Sequence, residues 1–156
     1  LKKSSVRGNS SKIDLLNGHT DISINGNDNT FGMDDGNNEI IINGNNNNFT
    51  SGSGDKNLNL KGDTNTISVS GKTIASILGN NNNIDTGDEA DNISFNGNSN
   101  TIHSNGGEDN LSFKGDNNNV YSGDENDIVT IKSGDNNFID GESGNKNYVF
   151  SKLHQH

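Results

Sequence analysis

The chain has no cysteine, no proline and no tryptophan, and only 25% of its 156 residues are hydrophobic. Without cysteine it has no disulfide framework and no thiolate metal site. It contains no run of about 18 apolar residues, so no transmembrane helix is predicted, and its first residues lack the apolar stretch of a signal peptide. Because it does not begin with Met, we expect a fragment or processed chain of a larger polypeptide, with any secretion directed by other parts.

Positive charge is also scarce. There are 11 Lys and Arg residues against 21 Asp and Glu, for a formal net charge of -10. Binding to phosphate relies on Lys and Arg, so nucleic acid and anionic membrane surfaces are not expected as partners. The excess of carboxylates is instead compatible with cation binding.

Glycine and asparagine are abundant instead, with 20 Gly and 33 Asn. Such a composition is typical of disordered chains, but two short patterns here each return after 18 residues. The first joins Gly, Asn and an aliphatic residue, as in residues 79–84, 97–102 and 115–120. The second is acidic and covers residues 87–93, 106–111 and 123–129. A fixed period made of two half-repeats of nine indicates a solenoid.

The first pattern predicts one buried apolar column, with a single residue missing from the period near Gly79. Its members are Ile13, Phe31, Phe49, Ile67, Ile84, Ile102, Val120 and Phe138. The second pattern predicts two more columns. They are Ile22, Ile40, Leu58, Ser76, Ile93, Leu111 and Val129, and, two residues later, Ile24, Ile42, Leu60, Leu78, Phe95, Phe113 and Ile131.

These columns alternate with polar residues in the manner of strands. Each nine-residue unit is therefore interpreted as a strand followed by a Gly-containing turn, and two units form one coil. The prediction is an all-β parallel solenoid of two sheets packed face to face, with about eight coils over residues 13–142. Residues 1–12 are assigned to an N-terminal cap and first coil entry, and residues 143–156 to a C-terminal cap and tail.

An asparagine column lies two residues before the first apolar column. Its members are Asn29, Asn47, Asn65, Asn82, Asn100, Asn118 and Asn136. When identical Asn side chains stack at the strand spacing, each amide donates to the next carbonyl and stays neutral, so burial is tolerable. We therefore predict a structural ladder.

An aspartate column, Asp91, Asp109 and Asp127, carries the strongest chemical prediction. Carboxylates stacked about 5 Å apart repel one another by roughly 1 kcal/mol per pair in water. Three of them in register predict a hard cation between coils, held by carboxylate and turn carbonyl oxygens, with Asp88 and Asp124 as further ligands. The alternative is that these acidic turns are simply solvated.

Residues 87–93 and 106–111 resemble the nonapeptide repeats of RTX proteins, the calcium-binding parallel β-rolls of secreted bacterial toxins, proteases, lipases and adhesins. The Asp-x-aliphatic part of that repeat occurs only at Asp91, Asp109 and Asp127. The resemblance therefore implies calcium along one edge of the C-terminal half at most. It also implies a secreted or cell-surface bacterial protein, such as a toxin, adhesin or effector.

A weaker resemblance connects residues 97–102 and 115–120 with the repeats of grass ice-binding β-solenoids. Ice binding needs a flat and uniform array, whereas outward pairs such as Thr101 and His103 are neither uniform nor uncharged. The two C-terminal histidines, His154 and His156, could chelate a metal ion, although a frayed polar terminus is the simpler interpretation.

Two other function classes remain. Short and uniform turns do not build a cleft, so we predict no catalytic residues and no enzyme. A recognition module is the alternative to the rod, in which an outward face presents Ser94, Ser112 and Thr130 with Asn92 and Asn110 to a glycan or a protein partner.

Overall fold

The computed structural model describes residues 2–15 and 18–151 and shows a parallel β-solenoid of about eight coils. All strand pairs are parallel. The strands are β1 (Lys2–Arg7), β2 (Lys12–Leu15), β3 (Thr20–Asn25), β4 (Thr30–Met33), β5 (Asn38–Asn43), β6 (Asn48–Ser51), β7 (Lys56–Lys61), β8 (Thr66–Ser68), β9 (Thr73–Leu78), β10 (Asn83–Asp85), β11 (Asn92–Asn96), β12 (Thr101–His103), β13 (Asn110–Lys114), β14 (Asn119–Tyr121), β15 (Ile128–Ser133), β16 (Phe138–Asp140) and β17 (Asn147–Phe150).

Odd-numbered strands form a nine-stranded sheet and even-numbered strands form an eight-stranded sheet. Within the strands from β3 to β15, inward residues are buried and outward residues are more exposed, as in β7 and β9. The core is a thin layer between the sheets whose largest fully buried side chains are Phe31, Phe49 and Phe113. The predicted fold class is therefore confirmed. No stretch of the described residues forms a helix with the length and apolar character needed to cross a membrane.

Glycine is required in the turns where successive coils approach most closely. Gly44 has φ of 148°, and a Cβ placed on it would lie 1.9 Å from the carbonyl oxygen of Gly26 in the preceding coil. Two residues later Asn46 adopts the left-handed conformation with φ of 56°, which Asn tolerates better than most residues. This pair of conformations reverses the chain between the two sheets.

The missing residue of the period lies in the turn before β9, so the prediction near Gly79 was wrong. Leu58 pairs with Ala75 and Leu60 with Ile77. Ala75 and Ile77 are therefore buried, whereas the predicted core residue Leu78 is 49% exposed. The turn at residues 69–73 is one residue shorter than the equivalent turn at residues 51–56, which shifts every inward position of β9 by one.

Ser76 is a second residue misplaced by that prediction. It lies on the exposed face of β9 between the buried Ala75 and Ile77. A shift of one residue along a strand moves each side chain to the opposite face. The inward residues of β9 can therefore be identified only when the missing residue is placed in the turn before this strand.

An extra residue near the C-terminal end explains why the prediction of Phe138 as a core residue was wrong. The register shifts at a bulge between Phe113 and Lys114, and Val120 then pairs with Ile139. Ile139 thus takes the column position predicted for Phe138, which is 50% exposed.

The chain ends belong to the solenoid wherever they are described. Residues 2–7 and 147–150, assigned to caps by the sequence, are the two edge strands of the nine-stranded sheet. Residues 152–156, which include His154 and His156, lie outside the described residues.

The asparagine ladder forms along one inner corner. The backbone N–H of each rung donates to Oδ1 of the rung in the next coil, as from Asn47 to Asn65 at 2.8 Å. The side-chain amide donates to a glycine carbonyl of the preceding coil, as from Asn65 to Gly44 at 3.0 Å. The six predicted rungs from Asn29 to Asn118 are buried.

The seventh rung is Asn137. Its Oδ1 accepts the N–H of Asn118 at 2.9 Å, whereas the predicted Asn136 is exposed and adopts φ of 56° in the turn. The extra residue of this coil explains the difference. With this one correction, the sequence located the ladder.

Replacing Asn82 by alanine is expected to lower the free energy of unfolding by about 2–4 kcal/mol. Its Oδ1 accepts the N–H of Asn65 at 2.8 Å and its Nδ2 donates to the Gly62 carbonyl at 2.9 Å. The substitution leaves the buried Asn65 N–H and the partly buried Gly62 carbonyl without these partners. Urea unfolding measures the loss, and Asn83→Ala, on the exposed face of β10, is the control. Equal effects of the two substitutions would contradict a ladder role.

A second ladder, which the sequence analysis did not predict, follows the outer side of the same turns. Here the backbone N–H donates to Oδ1 of the preceding coil, as from Asn45 to Asn27 at 2.8 Å. Two rungs are aspartates: Asp63 accepts the N–H of Asn80 at 2.7 Å, and Asp116 accepts that of Asp135 at 2.8 Å. An Asp is thus accommodated at these outer positions, which are only partly buried.

Candidate functional site: the inner acidic corner

The predicted aspartate column lies inside the solenoid. Asp91, Asp109 and Asp127 immediately precede β11, β13 and β15, and all three are buried. A column of hydroxyls runs beside them on the same turns, immediately after β10, β12 and β14. Its members are Thr86, Ser104 and Ser122, which are also buried. We call these six residues the inner acidic corner.

Each aspartate uses one oxygen to join neighbouring coils. Oδ1 of Asp91 accepts the N–H of Thr73 at 2.7 Å. Oδ1 of Asp109 accepts the N–H of Asp91 at 2.8 Å, and Oδ1 of Asp127 accepts that of Asp109 at 3.0 Å. The same bond holds the asparagine ladder. The solvated-turn alternative is therefore excluded for these three side chains.

The second carboxylate oxygen distinguishes this column from the asparagine ladder. An Asn uses its amide to donate to a turn carbonyl, but an ionised Asp has no hydrogen to donate. Five buried side-chain polar atoms lack a hydrogen-bond partner within residues 2–15 and 18–151. Four of the five lie in this corner: Thr86 Oγ1, Ser122 Oγ, Asp91 Oδ2 and Asp109 Oδ2. Orphaned oxygens of this kind are costly.

Burial makes ionisation of these carboxyls difficult. It raises the pKa of Asp91 to about 6, although the nearby Thr86 hydroxyl, which lies outside hydrogen-bonding geometry, and the Thr73 N–H act in the opposite direction. Burial likewise raises the pKa of Asp109 to about 7, against the Asp91 N–H and the Ser104 hydroxyl. The charges of the neighbouring Asp91 and Asp127 add to the rise for Asp109. The corner therefore favours the protonated form of these carboxyls.

In the last coil a cation is present, supplied by Lys146. Its ammonium lies 2.7 Å from Asp127 Oδ2, and the two side chains are 8% and 0% exposed. The same ammonium donates to the turn carbonyls of Gly123 at 2.5 Å and Glu125 at 2.8 Å. The oxygens of this turn thus accept a positive charge inside the fold.

Lys56 repeats this arrangement in the N-terminal half, at the position in its coil that the aspartates hold in theirs. It is buried, and its ammonium donates to the carbonyls of Gly36 at 2.9 Å, Ser53 at 2.9 Å and Gly54 at 2.7 Å. Burial lowers its pKa, against the charges of Asp35 and Asp55. In two coils, the oxygens of this turn therefore bind a lysine ammonium.

The other two predicted ligands are not in the corner. Asp88 and Asp124 are exposed on the outer side of the turns, and Asp124 accepts a hydrogen bond from Ser143. Among the described residues, no three His, Asp or Glu side chains are grouped as metal ligands. Any metal in the corner would therefore depend on carbonyl and hydroxyl oxygens as well as on carboxylates.

The sequence analysis missed the hydroxyl column and both lysines. A usable signal was present, because Thr86, Ser104 and Ser122 each stand five residues before an aspartate. The equivalent positions in earlier coils hold Met33, Ser51 and Val69, and Ser51 stands five residues before Lys56. Only the register across coils shows that the lysines share the aspartate column.

Each sheet also presents polar or aromatic side chains on its outer face. Ser94, Ser112 and Thr130 are neighbours on the outer face of the nine-stranded sheet, as predicted. On the other sheet, the rings of His103 and Tyr121 stack with their centroids 4.5 Å apart. They line a shallow cleft of about 400 Å³ together with Asp88, Asp124 and Glu125.

Comparison with known proteins gives one match. Residues 60–117 match a family model described as "Protein of unknown function (DUF3060)". No curated protein and no solved structure matches the chain. The matched segment includes Asp91 and Asp109 of the inner acidic corner.

Proposed function

We propose that the chain is a non-catalytic solenoid module of a secreted or cell-surface bacterial protein, of the toxin, adhesin or effector type. It acts as a rigid spacer, and its C-terminal half is stabilised by a cation bound in the inner acidic corner. Calcium is the ion that suits the donors. The observation that carries this proposal is the group of four buried oxygens without a hydrogen-bond partner in the inner acidic corner. In other coils, the ammonium groups of Lys56 and Lys146 are bound by oxygens of the corresponding turns.

The donor set supports a hard cation. Moving back one coil from Gly123, Glu125 and Asp127, the equivalent oxygens belong to Asn105, Gly107 and Asp109. The Ser104 hydroxyl lies beside them. Carboxylate, carbonyl and hydroxyl oxygens without nitrogen or sulfur are the ligands that Ca²⁺ prefers.

A second set lies one coil earlier, formed by Gly87, Glu89 and Asp91 with the Thr86 hydroxyl. Binding to the folded chain alone would stabilise it by RT ln(1 + [L]/Kd), or about 2.7 kcal/mol at a hundredfold excess of ion over Kd. Folding would then depend on the calcium level.

The spacer role rests on the continuity of the backbone ladders. Every coil pairs with the next, from β1 to β17 and from β2 to β16, with one bulge between β13 and β15. Nine strands about 4.8 Å apart give a rod roughly 40 Å long. A solenoid of this kind carries load through nearest-neighbour contacts.

Calcium titration by calorimetry tests the cation. We expect binding to the metal-free chain at pH 8, and we expect Asp109→Asn to reduce the number of bound ions, because Asn brings an N–H donor to the place of Oδ2. Asp63→Asn is the matched control, since it makes the same change in the outer ladder. Absence of calcium binding to the unsubstituted chain, or equal loss in both variants, would refute the proposal.

A recognition module for a glycan is the second candidate, favoured by the cleft beside the stacked His103 and Tyr121 rings. Aromatic rings and carboxylates in a concave site are common features of ligand-binding surfaces. A glycan array probed with the unsubstituted chain and with Tyr121→Ala checks it. Binding that Tyr121→Ala abolishes and Tyr148→Ala leaves intact would favour this candidate over the spacer.

A further inference from the structure

Lys146 belongs to the same column as the three buried aspartates. β15 and β17 pair Ile128 with Asn147, so the residues before them, Asp127 and Lys146, are neighbours. The N–H of Asn147 also donates to the Asp127 carbonyl at 2.9 Å, the bond that joins neighbouring members elsewhere in the column. We call the whole set the inner polar column, and its members are Asn38, Lys56, Thr73, Asp91, Asp109, Asp127 and Lys146.

The backbone carbonyl two residues before a column member is a recurring acceptor. In four turns it accepts a hydrogen bond from a side chain of the column. These carbonyls are Gly36, which accepts from Asn38 at 2.8 Å and from Lys56 at 2.9 Å, Gly54, which accepts from Lys56 at 2.7 Å, Gly71, which accepts from Thr73 at 2.9 Å, and Glu125, which accepts from Lys146 at 2.8 Å. Four turns of different sequence thus satisfy the same carbonyl with a side-chain donor.

The two turns before Asp91 and Asp109 end in an aspartate, which has no hydrogen to donate when it is ionised. The equivalent carbonyls of these turns are those of Glu89 and Gly107. Oδ2 of each aspartate is buried and, within the part of the chain that the structure describes, has no hydrogen-bond partner. These oxygens correspond to the ones that Lys146 joins in the following turn.

The turn before Asp127 holds a complete set of oxygens around a cation. The Lys146 ammonium lies 2.7 Å from Asp127 Oδ2. It donates to the carbonyls of Gly123 at 2.5 Å and Glu125 at 2.8 Å. Ser122, on the same turn, is 0% exposed, and its hydroxyl has no hydrogen-bond partner among residues 2–15 and 18–151. Carboxylate, carbonyl and hydroxyl oxygens are the ligands that Ca²⁺ prefers.

Burial keeps the ammonium in this turn. The Lys146 side chain is 8% exposed and that of Asp127 is 0% exposed. An ion cannot bind the same oxygens while the ammonium is there, because the ammonium fills the space and carries a charge of the same sign. The lysine therefore excludes an ion from the turn before Asp127.

We propose that Lys146 is a tethered cation that fills the third of three equivalent ion positions, and that it thereby limits the number of ions that the inner polar column binds. The three positions lie at the turns before Asp91, Asp109 and Asp127, and the first two are left to Ca²⁺. This proposal rests on the cation site proposed above and adds the residue that determines how many ions it takes. A short neutral side chain in place of the lysine opens the third position.

Counting bound calcium ions at pH 8, by calorimetry and by native mass spectrometry, tests the proposal. Lys146→Asn removes the ammonium, and the shorter side chain can accept the N–H of Asp127 as other Asn and Asp members of the column do. We expect this variant to bind one more calcium ion than the unsubstituted chain. Lys132→Asn removes the same charge at an exposed position of β15, and this matched control is expected to leave the number unchanged.

Thermal stability gives a second measurement, since Lys146→Asn has no cation in the third position when calcium is absent. In metal-free buffer this variant is expected to melt at a lower temperature than Lys132→Asn, or to be unfolded. Millimolar calcium is expected to raise its Tm by more than it raises that of the control. The Asp127→Asn, Lys146→Asn double variant lacks the carboxylate of the third position, and the additional ion is expected to be lost.

The results separate this proposal from the one on which it rests. Calcium binding to the unsubstituted chain, with the same number of ions in Lys146→Asn, would overturn the role of Lys146 and leave the cation site intact. One ion in Lys146→Asn and none in the unsubstituted chain would support the role of Lys146 and refute the sites at Asp91 and Asp109. Absence of calcium binding to both chains would overturn both proposals.

Discussion

Lys56→Met is expected to lower the free energy of unfolding by about 1–3 kcal/mol, although methionine nearly preserves the volume of the side chain. The ammonium is buried and donates to three turn carbonyls, those of Gly36, Ser53 and Gly54. Methionine supplies no donor, so all three oxygens lose a partner. The Gly36 carbonyl keeps the Asn38 amide as a donor and the Ser53 carbonyl keeps the Gly36 N–H, so the Gly54 carbonyl alone is left unpaired, at a cost of about 1–3 kcal/mol. The site lies in mid-rod, where fraying cannot absorb the loss.

Lys61→Met is the control for this experiment. Lys61 ends the same strand, β7, but is exposed. Its replacement is expected to change the free energy of unfolding by less than about 0.5 kcal/mol. Urea unfolding compares the two variants. Similar small changes in both would show that the turn oxygens do not need a cation, which would remove the main support for the proposed site.

In metal-free buffer, the free energy of unfolding is expected to fall as pH rises from about 4 to about 8. The folded chain raises the pKa of Asp91 to about 6 and that of Asp109 to about 7, from an ordinary value of 3.8. The folded state thus favours the protonated carboxyls. Their contribution is complete below the ordinary pKa and is lost as pH rises through the two raised values.

The size of this effect follows from the shifts. Each unit of pKa shift corresponds to about 1.4 kcal/mol, so the two carboxyls together give a loss of several kcal/mol. Chemical denaturation at a series of pH values measures it. The Asp91→Asn, Asp109→Asn double variant is the control, and its stability is expected to change much less over this range. Equal pH dependence of the two chains would contradict the description of the corner.

Saturating calcium is expected to reverse this trend. A bound cation stabilises the ionised carboxylates and competes with the protons, so the unsubstituted chain should keep its stability up to pH 8. The double variant should show no such protection. The pH dependence therefore separates a corner that is stabilised by protons from one that is stabilised by an ion.

The fold could be predicted because its main determinants repeat. A strand with one buried face needs an apolar residue at alternate positions, and a ladder needs the same side chain in every coil. Both requirements appear in the sequence as a period of 18. The asparagine column from Asn29 to Asn118 was located in this way without knowledge of any contact.

Insertions and deletions limit this kind of prediction. A period shows that a residue has been lost or gained in a coil, but not in which of the two turns. For this reason Ser76 and Leu78 were assigned to the core in place of Ala75 and Ile77. Where the coil gained a residue, Asn136 was assigned to the ladder in place of Asn137.

The inner acidic corner could be predicted only in part. The spacing of Asp91, Asp109 and Asp127 showed that they stack, but not that they point inward. Their inward direction follows from the N–H groups that they accept, and these belong to the preceding coil. The role of Lys146 depends on a contact across 19 residues of sequence, and no local pattern reports such a contact.

The most direct test of the proposed cation is a thermal melt followed by circular dichroism at pH 8, first in metal-free buffer and then with millimolar calcium. The account predicts a large upward shift of Tm with calcium, or a chain that folds only when the ion is present. It also predicts that Asp109→Asn raises Tm in metal-free buffer and lowers it in calcium, relative to the unsubstituted chain. Identical melting curves of the unsubstituted chain with and without calcium would contradict it.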